Sequence, residues 1–204
     1  MKFYLSSYKI GNKAAELKNL ISSNGKLGFI PNALDHVDPE ARQESNKPRL
    51  QELAELGINV ELLDLKDYFG KKEELEKKIA SLDVVWVRGG NTFVLRQAMK
   101  LSGFDEIIKN LNRVDFLYGG YSAGICVLAP SLRSLEIVDD PLINPYKGLT
   151  ETIWEGLGIL DYLIIPHYKS DHPEAMKVDE TVEYCKKNNI AFKTLKDGEV
   201  IIIE

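Results

Sequence analysis

The sequence predicts an α/β protein with a mostly parallel sheet that helices cover on both faces. Short apolar runs alternate with helical patterns along the chain, and this order is typical of βαβ units. Three of the apolar runs end in glycine-rich or polar sequence, at residues 88–91, at Ser122 and at His167. Since sites in such sheets form beyond the carboxyl ends of the strands, we expect these three ends to meet if their strands are neighbours.

The first half of the chain supplies four strand candidates and three helix candidates. Each strand candidate is an apolar run; one stops at Pro31 and another ends in a pair of glycines. The first helical pattern ends at Gly25, and the second is interrupted at Pro48. In chain order the elements are a strand at 2–7, a helix at 11–25, a strand at 26–33, a helix at 39–58, a strand at 59–65, a helix at 71–82 and a strand at 83–90.

The second half continues the alternation but contains an irregular segment at 131–157, which is broken by prolines and glycines. Asp197 and Gly198 form the usual signal for a hairpin turn, so we expect the last two strands to pair with each other. In chain order the elements are helices at 91–103 and 104–113, a strand at 114–122, a helix at 123–130, a strand at 160–168, a helix at 173–189 and two strands within 191–204.

Length and composition limit the classes of protein that fit this chain. Its 204 residues suggest one domain, 1–204, and 44% hydrophobic with 28% charged residues is ordinary for a soluble protein. A net charge of −5 without a basic stripe argues against a nucleic-acid partner, and no apolar stretch reaches membrane-spanning length. Cys126 and Cys185 fit neither a disulfide framework nor a metal site. We expect a cytoplasmic protein, a monomer or small homo-oligomer, that uses no cofactor and no metal.

The stretch GYSAG at 120–124 is the strongest candidate for chemistry. It fits the G-x-S-x-G pattern of a nucleophile elbow, in which a serine sits on a strained turn between a strand and a helix. Small residues at 120 and 124 relieve the crowding, and the helix that follows points N–H groups at the site. The backbone N–H of Ala123 can then stabilise an oxyanion. The alternative is a glycine-rich tight turn without a catalytic role, because the pattern is common by chance.

His167 is the best-placed general base among the three histidines. It follows an apolar strand, whereas His36 lies in a polar loop and His172 precedes a proline. A lone histidine is more often a core or surface residue, and as a base it needs an acid to orient it. The segment LEIVDDP supplies three candidates for that acid, each of which is otherwise a solvated loop charge: Glu136, Asp139 and Asp140.

A second glycine-rich site, RGGNT, ends the strand at 83–90. It lacks the third glycine of a dinucleotide fingerprint and the lysine of a P-loop, which weakens an interpretation as a phosphate site. The alternative is that the N–H of Gly90 or Asn91 completes an oxyanion hole with that of Ala123. The candidates for contacts with a substrate are Arg88, Asn91 and Thr92.

Four motifs in this order, FIPNA, VRGGNTF, GGYSAGI and IIPHY, resemble those of the S51 serine peptidases, the aspartyl dipeptidase (peptidase E) and cyanophycinase group. The resemblance covers nearly the whole chain. It implies a flavodoxin-like fold, similar to class I glutamine amidotransferases, and a serine peptidase that acts on short peptides. It also implies Ser122 as nucleophile, His167 as base, and Gly90 and Ala123 as the oxyanion hole. Cys126, one helical turn after the serine, is expected to be a packed residue.

The acid of the triad is taken from the same resemblance. In aspartyl dipeptidases an aspartate stands two positions before a proline in the loop after the elbow helix, and Pro141 therefore selects Asp139. The loop is longer here, so Asp140 and Glu136 remain alternatives.

One departure from the family concerns substrate recognition. Aspartyl dipeptidases carry arginines after the catalytic histidine. Here the first cations after His167 are Lys169 and Lys177. Lysine is not an equivalent bidentate partner for a carboxylate. Arg88 and Arg133 flank the site in sequence and could substitute. We expect a weak or absent preference for Asp-X dipeptides. The alternatives to a peptidase are another serine hydrolase or acyl transferase acting on an amide or ester, and a non-catalytic small-molecule binding protein.

Overall fold

A large, mostly parallel sheet forms the centre of the molecule. The computed structural model describes residues 1–22 and 25–204. Its strands are β1 (Lys2–Ser6), β2 (Lys26–Ile30), β3 (Asn59–Leu62), β4 (Val84–Val87), β5 (Leu117–Tyr121), β6 (Leu163–Ile165), β7 (Phe192–Thr194) and β8 (Val200–Ile203). The large sheet has the order β3-β2-β4-β5-β1-β8, in which only the β1–β8 pair is antiparallel. Strands β6 and β7 form a separate, parallel two-stranded sheet.

Helices pack on both faces of the large sheet, which confirms the predicted flavodoxin-like α/β fold. They are α1 (Ala14–Leu20), α2 (Pro39–Ala54), α3 (Lys72–Ala80), α4 (Thr92–Ser102), α5 (Phe104–Asn110), α6 (Ala123–Cys126) and α7 (Ala175–Lys187). Successive side chains of β1 point to opposite faces: Tyr4 packs with the core that includes Leu53 of α2, while Leu5 packs with the core that includes Ile125 of α6. No helix in the described ranges is long and apolar enough to cross a membrane.

The register of two central strands brings the two glycine-rich sites together. In the parallel pair β4–β5, Val87 lies opposite Gly120. The residues that follow β4, Gly89 and Gly90, therefore emerge beside Ser122, which follows β5. The prediction is confirmed for these two strand ends, because their strands are neighbours. The third end, at His167, follows β6 of the small sheet, which is not a neighbour of either strand.

The helices differ from the sequence pattern at two points. Helix α2 continues through Pro48 to Ala54 instead of being interrupted. An interior proline costs roughly 3 kcal/mol, and burying a leucine contributes about 1.5–3 kcal/mol; Leu53, which is fully buried, and Leu50 pack this helix against the sheet and offset that cost. Helix α1 ends at Leu20, before the predicted end at Gly25, and the segment between them includes residues 23–24, which lie outside the described ranges.

Helix α6 is a single turn, although the sequence predicts a helix over 123–130. The carbonyl oxygens of Val127 and Ala129 accept hydrogen bonds from the N–H groups of Leu157 and Gly158, at 2.7 and 3.0 Å. These contacts with a distant segment draw the chain out of the helix. A Cβ on Gly156 would lie 1.9 Å from the carbonyl oxygen of Ala129, so the close approach needs a glycine.

The last two strands do not form the predicted hairpin. Strand β7 pairs with β6 in the small sheet, while β8 pairs with β1 at the edge of the large sheet. Asp197 and Gly198 therefore connect two sheets. Gly198 has a φ of 93°, the left-handed conformation expected of a turn glycine. The turn residues indicate a turn correctly, but the pairing of the strands on either side is decided by long-range contacts.

Candidate active site

Ser122 occupies a strained turn between β5 and α6. Its backbone has φ 50° and ψ −121°, a conformation that costs a residue with a side chain roughly 1–3 kcal/mol. This is the strand–turn–helix geometry of a nucleophile elbow. The half-buried side chain lines a cavity of about 530 Å³ and makes no capping hydrogen bond to α6.

Three glycines make room for this turn. A Cβ on Gly120 or Gly124 would lie 2.7 or 2.2 Å from the carbonyl oxygen of Val87 in the neighbouring strand. A Cβ on Gly89 would lie 2.8 Å from Cβ of Ser122 itself. Contacts below 3.0 Å are essentially never seen for real Cβ atoms, so a side chain at any of these positions would displace the serine or the strand beside it.

The N–H groups of Gly90 and Ala123 are free to bind an anion. Neither donates to an acceptor within the residues the structure describes. The N–H of Asn91, the other candidate, donates to the carbonyl oxygen of Ala33 at 2.9 Å, and the Asn91 side chain caps α4. Gly90 has a φ of 144°, and a Cβ there would lie 2.5 Å from that same carbonyl oxygen. Position 90 therefore requires glycine, because its φ is positive and its backbone lies against that of Ala33.

His167 follows β6 and is almost completely buried. Its Nδ1 lies 2.7 Å from Oδ1 of Asp197, and 2% of its side chain is exposed. Its backbone N–H donates to Oγ of Ser7 at 2.9 Å. The Ser7 hydroxyl in turn donates to Oδ1 of Asp197, also at 2.9 Å. The histidine is thus held by its ring and by its backbone to the same pair of residues.

Burial lowers the pKa of His167 below its ordinary value. The hydrogen bond to Asp197 acts in the opposite direction, His172 lowers the pKa further, and the net shift is downward. The imidazole therefore stays neutral, and able to accept a proton, at neutral pH. Ser122 and His167 line the same cavity, and no hydrogen bond joins them; such bonds are often long in an unliganded enzyme.

His172 and Tyr8 fix the orientation of the His167 ring. The two imidazoles stack with their centroids 3.7 Å apart and their planes within 9°. Tyr8 packs edge-on against both rings, at 5.8 and 6.0 Å. These contacts restrict rotation of the imidazole about its side-chain bonds.

His167, His172 and Glu174 place possible metal-ligand atoms within 4.8 Å of one another. An imidazole nitrogen directs its lone pair in the plane of its ring. Because the two rings are stacked and nearly parallel, one ion cannot lie in the planes of both. This orientation does not suit joint coordination, and we assign no metal to the cluster.

Asp139 does not contact His167, and the predicted pairing is wrong. Its Oδ2 accepts the N–H of Thr92 at 2.8 Å, at the beginning of α4, and burial raises the pKa of its carboxyl to about 6. The alternatives Asp140 and Glu136 are exposed, and neither is the partner of the histidine. The reason is topological: this loop folds onto α4, and the carboxylate that contacts His167 comes from the β7–β8 connection.

The remaining candidates divide between the site and its surroundings. Arg88 and Asn91 line the large cavity, and Thr92 lines a much smaller one beneath Ser122. Cys126 is buried below the elbow with its Sγ 3.4 Å from the carbonyl oxygen of Ile164, and it is a packed residue as expected.

Three other cations from the sequence analysis lie outside the large cavity. The Arg133 guanidinium lies over the ring of Trp154 at 4.6 Å. The Lys169 ammonium lies over the ring of Tyr168 at 5.2 Å, and Lys177 donates to a loop carbonyl.

Sequence reasoning missed Asp197 and Ser7. Asp197 belongs to an Asp-Gly pair, which the sequence analysis interpreted only as a turn, although Asp197 also contacts His167. Ser7 follows β1, the neighbour of β5 in the large sheet. Sites form at the carboxyl ends of strands in such sheets, and Ser7 stands at one of these ends. Applying this rule to β1 would have identified Ser7 as a candidate.

The fold and the cavity place a strained serine at a strand–turn–helix junction beside a buried histidine, an arrangement typical of α/β hydrolases. Residues 8–204 match the model of peptidase family S51. The chain belongs to this family, and it is a serine-type peptidase.

Proteins named as peptidases are similar to this chain over most of its length. An uncharacterized peptidase of Listeria innocua, Lin0382, is 31% identical over 178 residues, which cover 86% of this chain and 78% of the relative. The uncharacterized peptidase Lmo0363 of Listeria monocytogenes is 29% identical over 79% of this chain and 75% of its own length. Peptidase E of Streptomyces coelicolor is 29% identical over 90% of this chain and 70% of its own length.

Two crystal structures share the fold. A candidate peptidase E from Listeria monocytogenes has a TM-score of 0.73 at 24% identity, over 100% of this chain and 98% of that one. A peptidase from an acI-B1 Actinobacterium has a TM-score of 0.70 at 16% identity, over 100% of this chain and 83% of that one.

Proposed function

We propose that this serine peptidase hydrolyses short peptides through a triad of Ser122, His167 and Asp197. The observation that carries the proposal is the position of His167, which is buried against Asp197 and lines the cavity of the strained serine. An elbow serine, a histidine held by a carboxylate and free N–H donors for an oxyanion are the parts that acyl transfer from a peptide requires.

The triad roles follow from which atoms are occupied. Nδ1 of His167 is engaged by the Asp197 carboxylate, which fixes the proton on Nδ1 and leaves Nε2 to accept a proton. Oγ of Ser122 transfers its proton to Nε2 as it attacks the scissile carbonyl carbon. The imidazolium then returns that proton to the leaving amine, and Asp197 stabilises its charge. Water repeats the sequence on the acyl-serine, which releases the second product.

The oxyanion of each tetrahedral intermediate is assigned to the N–H groups of Gly90 and Ala123. Both are unengaged in the described ranges and flank the serine. Loss of one such donor typically costs about 10²–10³-fold in kcat. The glycine at position 90 and the helix after position 122 therefore contribute to catalysis through the backbone alone.

Short peptides are the substrates that the cavity supports best. A cavity of about 530 Å³ lies in the range of small-molecule sites rather than of long clefts. The predicted absence of a strict Asp-X preference, the cytoplasmic location and the single domain 1–204 are part of this proposal. So are the lack of nucleic-acid and membrane partners and the monomeric or small homo-oligomeric state.

Labelling with a fluorophosphonate tests the nucleophile. We expect the protein and a Ser131→Ala control to be labelled, since Ser131 is exposed and outside the cavity, and Ser122→Ala not to be. Hydrolysis of a short-peptide library should fall by about 10³–10⁶-fold in Ser122→Ala without loss of folding. Most of the activity remaining in a folded Ser122→Ala protein would refute the proposal. Cleavage of esters but of no peptide would favour another hydrolase. The absence of both labelling and hydrolysis would favour a binding protein.

A further inference from the structure

A second, much smaller cavity opens from the large one beneath Ser122. Its volume is about 20 Å³, against about 530 Å³ for the large cavity. The residues that line both cavities are Ser122, Val138, Asp139, His167 and Glu174. The small cavity is therefore a side pocket of the large one.

The side pocket adjoins three of the groups that act on the scissile bond in the proposed mechanism. Besides Ser122 and His167, its lining includes Ala123, whose N–H is assigned to the oxyanion. A reacting peptide places its carbonyl carbon against Oγ of Ser122 and its oxygen against that N–H. The parts of the peptide that then lie nearest the side pocket are the side chains of the two residues that flank the scissile bond.

Apolar side chains form much of the lining. They come from α6, from the segment that follows it, from the end of β6 and from α7, and they are Cys126, Leu135, Val138, Ile165, Pro166 and Val178. Two of the polar lining residues are engaged elsewhere. The hydroxyl of Thr181 donates to the carbonyl oxygen of Lys177 at 2.9 Å, and the N–H of Thr92 donates to Asp139. The side pocket therefore suits an apolar group better than a polar one.

The size of the side pocket limits this group to about one carbon atom. A single water-sized group needs roughly 10–15 Å³ of such volume, and the side pocket has about 20 Å³. Its walls cannot easily move apart, because Leu135, Ile165 and Val178 are at most 3% exposed and pack in one cluster with Cys126. Forcing extra methylene groups between close-packed walls is destabilising.

The side pocket also disfavours a negative charge. Asp139 and Glu174 border it, and none of its described lining residues is a lysine or an arginine. A carboxylate placed there would meet two acidic groups with no cation in the lining to offset them, whereas a methyl group would gain from burial. This arrangement gives a structural reason for the absence of a strict Asp-X preference in the proposed function.

We propose that the side pocket binds the side chain of a residue that flanks the scissile bond and selects the methyl group of alanine. The inference rests on the peptidase function proposed above and names its substrate class: short peptides with alanine at one of the two positions beside the bond. Glycine leaves the side pocket unfilled, longer side chains do not fit, and acidic ones are repelled. Leu135, Val138 and Val178 set the limit on size.

Kinetics on two series of dipeptides test the selection and identify the position. In the X-Ala series the first residue is glycine, alanine, norvaline or aspartate, and in the Ala-X series the second residue varies in the same way. Norvaline is the matched larger probe, because its unbranched side chain is two carbons longer than that of alanine. We expect alanine to give a kcat/KM about tenfold or more above the other three residues in one series. The series that shows this optimum identifies the position.

Enlarging the side pocket should move the optimum. Val178→Ala removes two methyl groups from the lining, and we expect it to raise the norvaline-to-alanine ratio of kcat/KM by about tenfold in the selective series. Val182→Ala is the matched control: it makes the same change one turn further along α7, at a residue that is 3% exposed against 2% for Val178 but does not line the side pocket. Its ratio should stay that of the unmodified protein. Leu135→Ala is a second enlarging variant if Val178→Ala does not fold.

A kcat/KM that is equal across each series would overturn the inference, as would an optimum at norvaline or aspartate or the absence of cleavage in both series. A norvaline-to-alanine ratio that stays fixed in the enlarging variants, or that rises equally in Val182→Ala, would do the same. These outcomes are separable from failure of the proposed function. A protein that is labelled at Ser122 and cleaves peptides without regard to these side chains would remain a peptidase without this selectivity.

Discussion

Oδ1 of Asp197 lies 2.7 Å from Nδ1 of His167, and it reaches the histidine from a connection between two different sheets. Because β7 belongs to the small sheet with β6, the segment that carries Asp197 emerges beside the segment that carries His167. Asp197 and His167 are thus positioned by the parallel pairing of β6 and β7. Ser122, the proposed nucleophile, is positioned separately, by β5 of the large sheet.

Replacing Asp197 by Asn is expected to reduce kcat/KM by about 10³–10⁴-fold. An amide can donate to Nδ1 and so favour the wrong tautomer, and it cannot stabilise the imidazolium that forms as Ser122 attacks. The effect should be smaller than that of Ser122→Ala, because the third member of a triad is the least severe deletion. Steady-state kinetics on a cleaved short peptide, with circular dichroism to verify folding, would measure it.

Asp139→Asn is the matched comparison, since it makes the same chemical change at the acid that the sequence favoured. We expect a loss of less than about tenfold, as Asp139 contacts Thr92 and not the histidine. A larger loss in Asp139→Asn than in Asp197→Asn would return the triad to the loop after the elbow.

Ser7→Ala tests a positioning residue. The Ser7 hydroxyl accepts from the N–H of His167 and donates to the Asp197 carboxylate, so its removal loosens both partners. We expect kcat to fall by about tenfold with little change in KM, which is the effect of a misplaced catalytic group rather than of lost binding. Ser7→Thr, which keeps the hydroxyl, should recover most of kcat. If Ser7→Ala and Ser7→Thr lower the melting temperature and kcat equally, the residue has only a structural role.

The sequence predicted the parts of the site that depend on local patterns. Ser122 stands in a motif whose glycines are needed locally, and Gly90 follows a strand that neighbours β5, as the rule for parallel sheets predicts. His167 was found from its place after an apolar run, although its strand lies in the small sheet. Asp197 could not be found this way, because its contact with His167 depends on β7 pairing with β6 rather than with β8. The Asp-Gly signal describes a backbone turn and contains no information on which strands pair. Helix α2 shows the same limit, since packing of Leu53 outweighs the local effect of Pro48.

His172→Phe is expected to move the acid limb of kcat/KM to higher pH. Activity requires neutral His167, so it falls as pH falls through the pKa of that residue. His172 lowers this pKa, whereas Asp197 and Glu174 raise it. Phenylalanine retains the stacked ring and the burial but removes the charge, so the pKa of His167 should rise towards its ordinary value.

The pH profile of this variant has to be separated from the titration of Asp139, whose pKa of about 6 falls in the same range. Measuring the profile with and without His172→Phe in the Asp139→Asn background removes that group. A limb that persists there and moves upward with His172→Phe belongs to His167. A limb that stays in place, or moves to lower pH, contradicts the assignment of His172 as a source of the depressed pKa.

Asp139 should make the fold less stable as pH rises. Its pKa is raised from 3.8 to about 6 by burial, so between these values the folded protein holds a proton that the unfolded chain has lost. Stability from this group is therefore full below pH 3.8 and is lost as pH rises through 6. The loss is at most about 3 kcal/mol, since one pKa unit corresponds to 1.36 kcal/mol.

Asparagine cannot ionise, so Asp139→Asn removes this dependence. We expect the free energy of unfolding of Asp139→Asn, relative to the unmodified protein, to increase by up to about 3 kcal/mol between pH 4 and pH 7.5. Urea titrations of both proteins at each pH give the stability difference between them at that pH. The contributions of all other carboxyl groups cancel when the two differences are compared. Asp140→Asn is the control, because that side chain is exposed one position along and its difference should stay within about 0.5 kcal/mol. A relative stability of Asp139→Asn that does not change with pH would mean that the carboxyl is better solvated, or better paired, than its burial against Thr92 indicates.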